Sequence, residues 1–272
     1  MAFIGNLLAR KAYLSHAKAI RANDQQDYKT AIEMEARAME GYEKALAKGM
    51  SNPGFLMAYA VLLLRTGKFE RAMEIVRKTE KLPKLSMDQK RRLMVNYSIC
   101  QWKLGELDHA IGAMRELMKN YKNSTVYGSL GYMLIEKGDK TGDYSEAQKF
   151  NAEALEYDDE DAVVLDNVGQ YYQRTGDIEK ARGYFEKALE IRPVQVDSMY
   201  YLARIKQQQG DIEGAKQLID KAMSIHFSAL ATVNMDMLKR YRAELDSAPK
   251  TAPAAAKPAD KAEPEADGAE DK

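Results

Sequence analysis

Residues 161–193 read DAVVLDNVGQYYQRTGDIEKARGYFEKALEIRP, and this stretch decides the fold. Two apolar-periodic segments flank Gly176-Asp177, and Pro193 closes the second. Leu165, Val168, Gly169 and Tyr172 share one helical face, as do Ala181, Phe185, Ala188 and Leu189. Gly169 and Ala181 are small enough for two helices to approach closely. Gly176 can take positive φ and stop the first helix. Asp177 stands where it can cap the second, and Pro193 forbids its continuation.

One such hairpin cannot bury its own apolar face, so neighbours must repeat it. The Gly-x4-Ala step of Gly176 and Ala181 recurs at Gly67/Ala72, Gly105/Ala110, Gly142/Ala147 and Gly210/Ala215. The intervals between these glycines are 38, 37, 34 and 34 residues. A sixth, degenerate copy stands first, with Ala19 and Ala31 as its small residues and Gln26 in place of the glycine. The spacing predicts one continuous all-α solenoid of about six hairpins over residues 12–229. Residues 1–11 are expected to extend the first helix, 230–246 to form a capping helix, and 247–272 to be a disordered Ala/Pro/charged tail.

The pattern Leu165-x2-Val168-Gly169-x2-Tyr172, then Ala181-x3-Phe185-x2-Ala188-x4-Pro193, resembles the tetratricopeptide repeat (TPR). The resemblance implies a right-handed α-solenoid whose first helices line a concave groove, and a protein-binding rather than catalytic role. Chaperone-binding members of that family carry a clamp of Lys, Asn and Arg on three successive first helices. The matching positions here are Met57 and Val61, Asn96, then Thr125 and Ser129; the next registers offer Val95, Ile99, Ser129, Val163 and Asn167, then Gly128, Tyr132, Asn167, Asp197 and Tyr201. None makes a clamp, so the acidic C-termini of heat-shock chaperones are not expected as ligands.

Charge narrows the partners further. Lys and Arg number 41 against 41 Asp and Glu, and no basic stripe is interleaved with aromatics, so nucleic acid is not expected. The lone Cys100 allows no internal disulfide, which fits a reducing compartment. The apolar run Leu56–Leu64 falls far short of the ~20 residues that span a bilayer. With no leader pattern at its start, the chain is expected in the cytoplasm. His16, His109 and His226 are far apart and match no metal or catalytic motif, so neither an enzyme nor a cofactor is expected. Gly138-Asp139-Lys140-Thr141 lacks the order of a phosphate loop and reads as a lengthened turn. Asp158–Asp161 reads as charge and a cap at a helix start.

The expected ligand is a protein or peptide segment in the concave groove. Met57, Val61, Ile99, Trp102 and Tyr132 supply apolar and aromatic anchors, and Gln170, Arg174, Tyr200 and Arg204 supply polar contacts. Residues 56–64 have no polar break, which implies that something covers them: the chain's own N-terminus, a crowded groove or a docked partner. Asp166, Asn167 and Gln170 read either as a solvated face or as peptide-reading contacts.

Residues 1–23 carry Arg10, Lys11, Lys18 and Arg21 with no acid, beside Phe3, Ile4, Leu7, Leu8 and Leu14. They read as a first helix with Phe3 and Leu7 packed on the solenoid's end, as an interfacial helix on an anionic membrane, or as a transit peptide. The alternative to a cytoplasmic adaptor is therefore a peripheral membrane protein, anchored by Phe3, Ile4, Leu7 and Leu8 with Arg10 and Lys11 at the headgroups.

Overall fold

A computed structural model describes residues 2–247; the tail expected to be disordered, from 248 onward, lies outside them. The described residues form thirteen helices and no strand. Six hairpins run in order: α1 (Ala2–Asp24) with α2 (Tyr28–Ala47), α3 (Pro53–Arg65) with α4 (Phe69–Glu80), and α5 (Met87–Lys103) with α6 (Leu107–Met118). Then come α7 (Ser124–Thr141) with α8 (Ser145–Tyr157), α9 (Ala162–Thr175) with α10 (Ile178–Ile191), and α11 (Val196–Gln208) with α12 (Ile212–Ser224). A last helix, α13 (Met235–Ser247), packs on α12. First helices α1 to α9 touch the next first helix or lie beside it, and each second helix wedges against the first helix that follows. This makes the first helices α1, α3, α5, α7, α9 and α11 an inner layer, as a stack of repeats requires.

Local chemistry fixes each hairpin. Gly67, Gly105, Gly142, Gly176 and Gly210 all adopt positive φ between +75° and +91°, each just past the end of a first helix. Gln26 takes the same left-handed conformation, φ +59°, at the position where the first repeat lacks its glycine. Asp27, Asp177 and Asp211 then cap α2, α10 and α12 with their carboxylates. Asp161 caps α9 by accepting from the Val163 and Val164 N–H groups. Inside the hairpin, a Cβ on Gly169 would stand 2.7 Å from the Phe185 ring, so glycine here is the space that Phe185 fills.

The extra residues of the fourth repeat do not lengthen a turn. Gly138–Thr141 continue α7 by a further turn, and Gly142 ends it. Tyr144 lies against Gly138, where any Cβ would meet its ring at 2.4 Å.

The first helix is seated through small residues. Gly5, Ala9, Ala12, Ala19 and Ala22 are buried, and a Cβ on Gly5 would collide with the backbone of Gly49 and Met50. The Asn6 side-chain oxygen accepts from the N–H groups of Ser51 and Asn52, both at 3.0 Å. Phe3 and Leu7 are not packed on the solenoid's end: they are 81% and 50% exposed. The packing face is the opposite one.

Between α12 and α13 the chain does not pass directly into a capping helix. The helix expected to begin at 230 starts at Met235, and residues 225–234 form an irregular strap that returns to the N-terminal repeats. The Ala229 N–H donates to the Arg65 carbonyl at 2.8 Å, and His226 Nε2 lies 2.9 Å from the Glu35 carboxylate. Leu230 packs on the N-terminal core, while Tyr28 of α2 packs on the C-terminal one. The two ends of the array therefore meet across the concave side.

Candidate functional site

The strap divides the inner surface into two unlike halves. Toward the C-terminus the groove is filled. Asp197 of α11 accepts from the Thr232 N–H (2.7 Å), the Thr232 hydroxyl (2.6 Å) and the Val233 N–H (3.0 Å). Asp166 of α9 accepts from the Ser198 hydroxyl at 2.5 Å and from the Gln170 amide at 2.7 Å. The Gln170 amide nitrogen also reaches the Thr232 hydroxyl oxygen at 3.5 Å. Asp166, Asn167, Gln170 and Asp197 are all buried, so this face is not solvated. Polar side chains are tolerated there because the strap supplies donors that water would otherwise supply.

Electrostatics follow from that burial. Desolvation, and then the neighbouring Asp197 charge, push the Asp166 carboxyl up to about 7. Desolvation also raises Asp197, against the opposing pull of the Thr232 and Val233 donors and of Lys103. Burial lowers the Lys103 ammonium, while Asp197 and Glu136 act to raise it.

Around this network sit most of the residues expected to contact a ligand. Trp102 donates its indole N–H to Glu136 at 2.6 Å, lies 5.5 Å from the Tyr132 ring, and carries the Lys103 ammonium 4.1 Å above it. Arg174 pairs with Asp139 at 2.8 Å and stands over the Tyr201 ring. Arg204 bonds the Tyr200 hydroxyl at 3.3 Å and lies over the rings of Tyr200 and Tyr241. Gln170 and Tyr200 are buried, at 0% and 7% exposed, and Ile99 is buried at 6%. Three of the nine expected contact residues are thus interior, held by the chain's own packing rather than presented to solvent.

Toward the N-terminus the groove is open. A cleft of about 570 Å³ is lined by Tyr13 of α1, Phe55, Met57, Ala58 and Val61 of α3, Arg92, Val95 and Asn96 of α5, and Thr125 of α7. The Tyr13 and Phe55 rings stand 6.0 Å apart at one end. Asn52 and Asn123, the caps of α3 and α7, form part of the rim, with Tyr121 beside them. Of the expected contact residues, Met57 and Val61 lie in this cleft, and Val61 is 38% exposed. Sequence reasoning does not single out Tyr13, Phe55 or Tyr121. Periodicity on α1 could have found Tyr13; nothing local marks Tyr121. The uncovered apolar stretch 56–64 is explained only in part: Leu56, Leu62, Leu63 and Leu64 are core, the strap reaches the end of α3 at Arg65, and Met57 and Val61 remain at the open cleft.

Among the described residues no three His, Cys, Asp or Glu side chains gather closely enough to hold a metal ion. None of their helices is long and apolar enough to cross a membrane.

Paired helices stacked with their first members inward define an α-solenoid repeat protein. Residues 173–230 match the tetratricopeptide-repeat family model, and the hairpin found there recurs along the chain. The fold is shared with a thermophilic TPR protein of Thermus thermophilus, at 16% identity and a TM-score of 0.58, over 72% of this chain and 100% of that one. Weaker likenesses include the C-terminal part of a TPR repeat-containing protein from Cytophaga hutchinsonii (21% identity, TM-score 0.46, 76% and 77% of the two chains). MamA from Desulfovibrio magneticus RS-1 is another (17% identity, TM-score 0.45, 64% and 94%). No curated protein matches the chain. Proteins of this fold generally mediate protein–protein interaction and are generally non-catalytic scaffolds.

Proposed function

We propose that this protein is a non-catalytic adaptor that takes an apolar segment of a partner protein in the cleft over α1, α3, α5 and α7. The observation that carries this reading is the row of half-buried Phe55 and Met57 and exposed Val61 along one concave wall, in a chain whose remaining groove is occupied by residues 225–234. Aromatic and aliphatic anchors in a concave, partly desolvated surface are where binding energy concentrates. The capping oxygens of Asn52 and Asn123 are engaged by backbone N–H groups, which leaves their amide N–H donors for a ligand backbone. Arg92 is the cation of the lining, paired at 3.0 Å with Asp88 on the same exposed helix face, so an acid on a partner segment would compete with Asp88 for it.

The test is a peptide selection against the full chain, followed by titration of the enriched peptides into variants. Met57→Glu/Val61→Glu should weaken binding at least about tenfold, roughly 1.4 kcal/mol, with helicity unchanged. Arg204→Gln, in the filled half, should leave the affinity as it was. Unchanged affinity in a folded Met57→Glu/Val61→Glu protein overturns the reading.

A further inference from the structure

The outer face of α1 is a second surface, distinct from the cleft. Phe3, Leu7 and Leu14 recur at intervals of four and seven residues and so form one stripe. All three are exposed, at 81%, 50% and 60%, and Ile4 beside them at 55%. Lys11 and Lys18 run along one edge of the stripe, with Arg10 and Arg21 on the other side. The opposite face of the helix, through Gly5, Ala9, Ala12 and Ala19, is the one committed to the solenoid. Terminal helices of repeat arrays ordinarily show a polar outer face, because an apolar one is left without a neighbour.

We propose that this face docks on an anionic lipid bilayer, with α1 lying parallel to the surface. Phe3, Leu7 and Leu14 enter the acyl boundary, and the flanking lysines and arginines meet lipid phosphates. Charge decides between the occupants of such a stripe. Residues 1–23 hold four cations and no acid, and none of those cations forms a salt bridge within the described residues. A second copy packed face to face would set these cations against one another. A neutral apolar partner would leave them unused. An anionic bilayer satisfies stripe and flanks together, as interfacial helices do. Leu8 takes no part, being half-buried against the core. Tyr13 lines the cleft and none of Phe3, Leu7 and Leu14 does, so docking leaves the cleft open.

The test is co-sedimentation of the full chain with vesicles of phosphatidylcholine alone, and of phosphatidylcholine with an equal part of phosphatidylglycerol. Binding is expected to the anionic vesicles only, reversibly, and weakened by salt. Leu7→Glu/Leu14→Glu should lower the partition coefficient at least about tenfold. Lys11→Gln/Lys18→Gln should lower it roughly thirtyfold on anionic vesicles, for two charges at about 1 kcal/mol each. These positions are exposed, so circular dichroism should show intact helicity. Ile32→Glu, also exposed but on α2, is the control and should bind as the wild type does. Failure of the wild type to sediment with anionic vesicles overturns the proposal, as does equal sedimentation of Leu7→Glu/Leu14→Glu. So does a dimer, seen by light scattering, that Leu7→Glu/Leu14→Glu dissolves while no vesicle is bound. Peptide binding in the cleft is read separately by the Met57/Val61 variants, so either idea can fail alone.

Discussion

The two halves of the concave surface are built from the same repeat and have opposite fates. Over α3 and α5 the inner wall is apolar and open, with Met57 and Val61 at a cleft. Over α9 and α11 it is polar and closed, with Asp166, Gln170 and Asp197 buried beneath the strap. Exposure runs against naive hydropathy: the carboxylates are inside and part of the aliphatic wall is out. The difference lies in what each half can bind. A buried carboxylate must find donors within the chain, and the backbone of residues 232–233 provides them. An apolar wall has no such directional demand and can wait for a partner. Polarity on a repeat protein's inner face is thus no guide to solvent.

This contrast is sharpest at Ile99. Replacing it with Glu puts an unpaired charge into the core of the third repeat and should destabilise the protein by about 4 kcal/mol or more. Val61→Glu, in the cleft, should change stability by no more than about 0.5 kcal/mol. Urea denaturation followed by circular dichroism compares them, and equal losses would erase the distinction between wall and core.

The strap anchor comes next. Asp197→Ala strips the acceptor from three donors of residues 232–233 and should lower stability by about 3 kcal/mol. Asp197→Asn keeps an acceptor and should recover part of that loss. If both variants match the wild type, the strap contributes nothing.

A smaller effect is expected from pH. The folded Asp166 carboxyl binds its proton more tightly than an unfolded one, because burial and Asp197 both disfavour its charge. Its contribution is therefore fully present below the ordinary carboxylate range, and is lost as pH rises from about 4 toward about 7. Over that window the wild type should lose stability relative to Asp166→Asn, by on the order of 1–3 kcal/mol. Parallel pH profiles for the two proteins would contradict the buried, strap-covered setting. The overpacking variant Gly169→Ala should cost roughly 1–3 kcal/mol by pressing on Phe185, and serves as a control insensitive to pH.

The hairpins were legible because each is a local device. The glycine register, the capping aspartates and the small residues sit within one repeat, and even Gln26 was marked by its place in the period. The fourth-repeat extension reads as a lengthened turn in the sequence, yet its residues continue α7, and Gly138 is there to admit Tyr144. The strap was invisible for a stronger reason. Residues 225–234 read as an ordinary connection, and their partners Glu35, Arg65 and Asp197 lie 191, 164 and 35 residues away or are reached only once six hairpins have stacked. No periodicity encodes that closure. For the same reason Ile99, Gln170 and Tyr200 could be placed on the inner face but not recognised as covered. Met57 and Val61 could be placed on the inner face because an unbroken apolar run needs only its own helix to be noticed.

The most direct test of the account is native-state hydrogen exchange across residues 225–234 in the wild type and in Asp197→Ala. The Ala229, Thr232 and Val233 amides should be strongly protected in the wild type and should lose that protection in the variant, while the α3 core stays protected in both. Exchange of those three amides in the wild type as fast as that of the Leu82–Leu85 connection would mean that the strap does not close the polar half, and that the groove is open along its whole length.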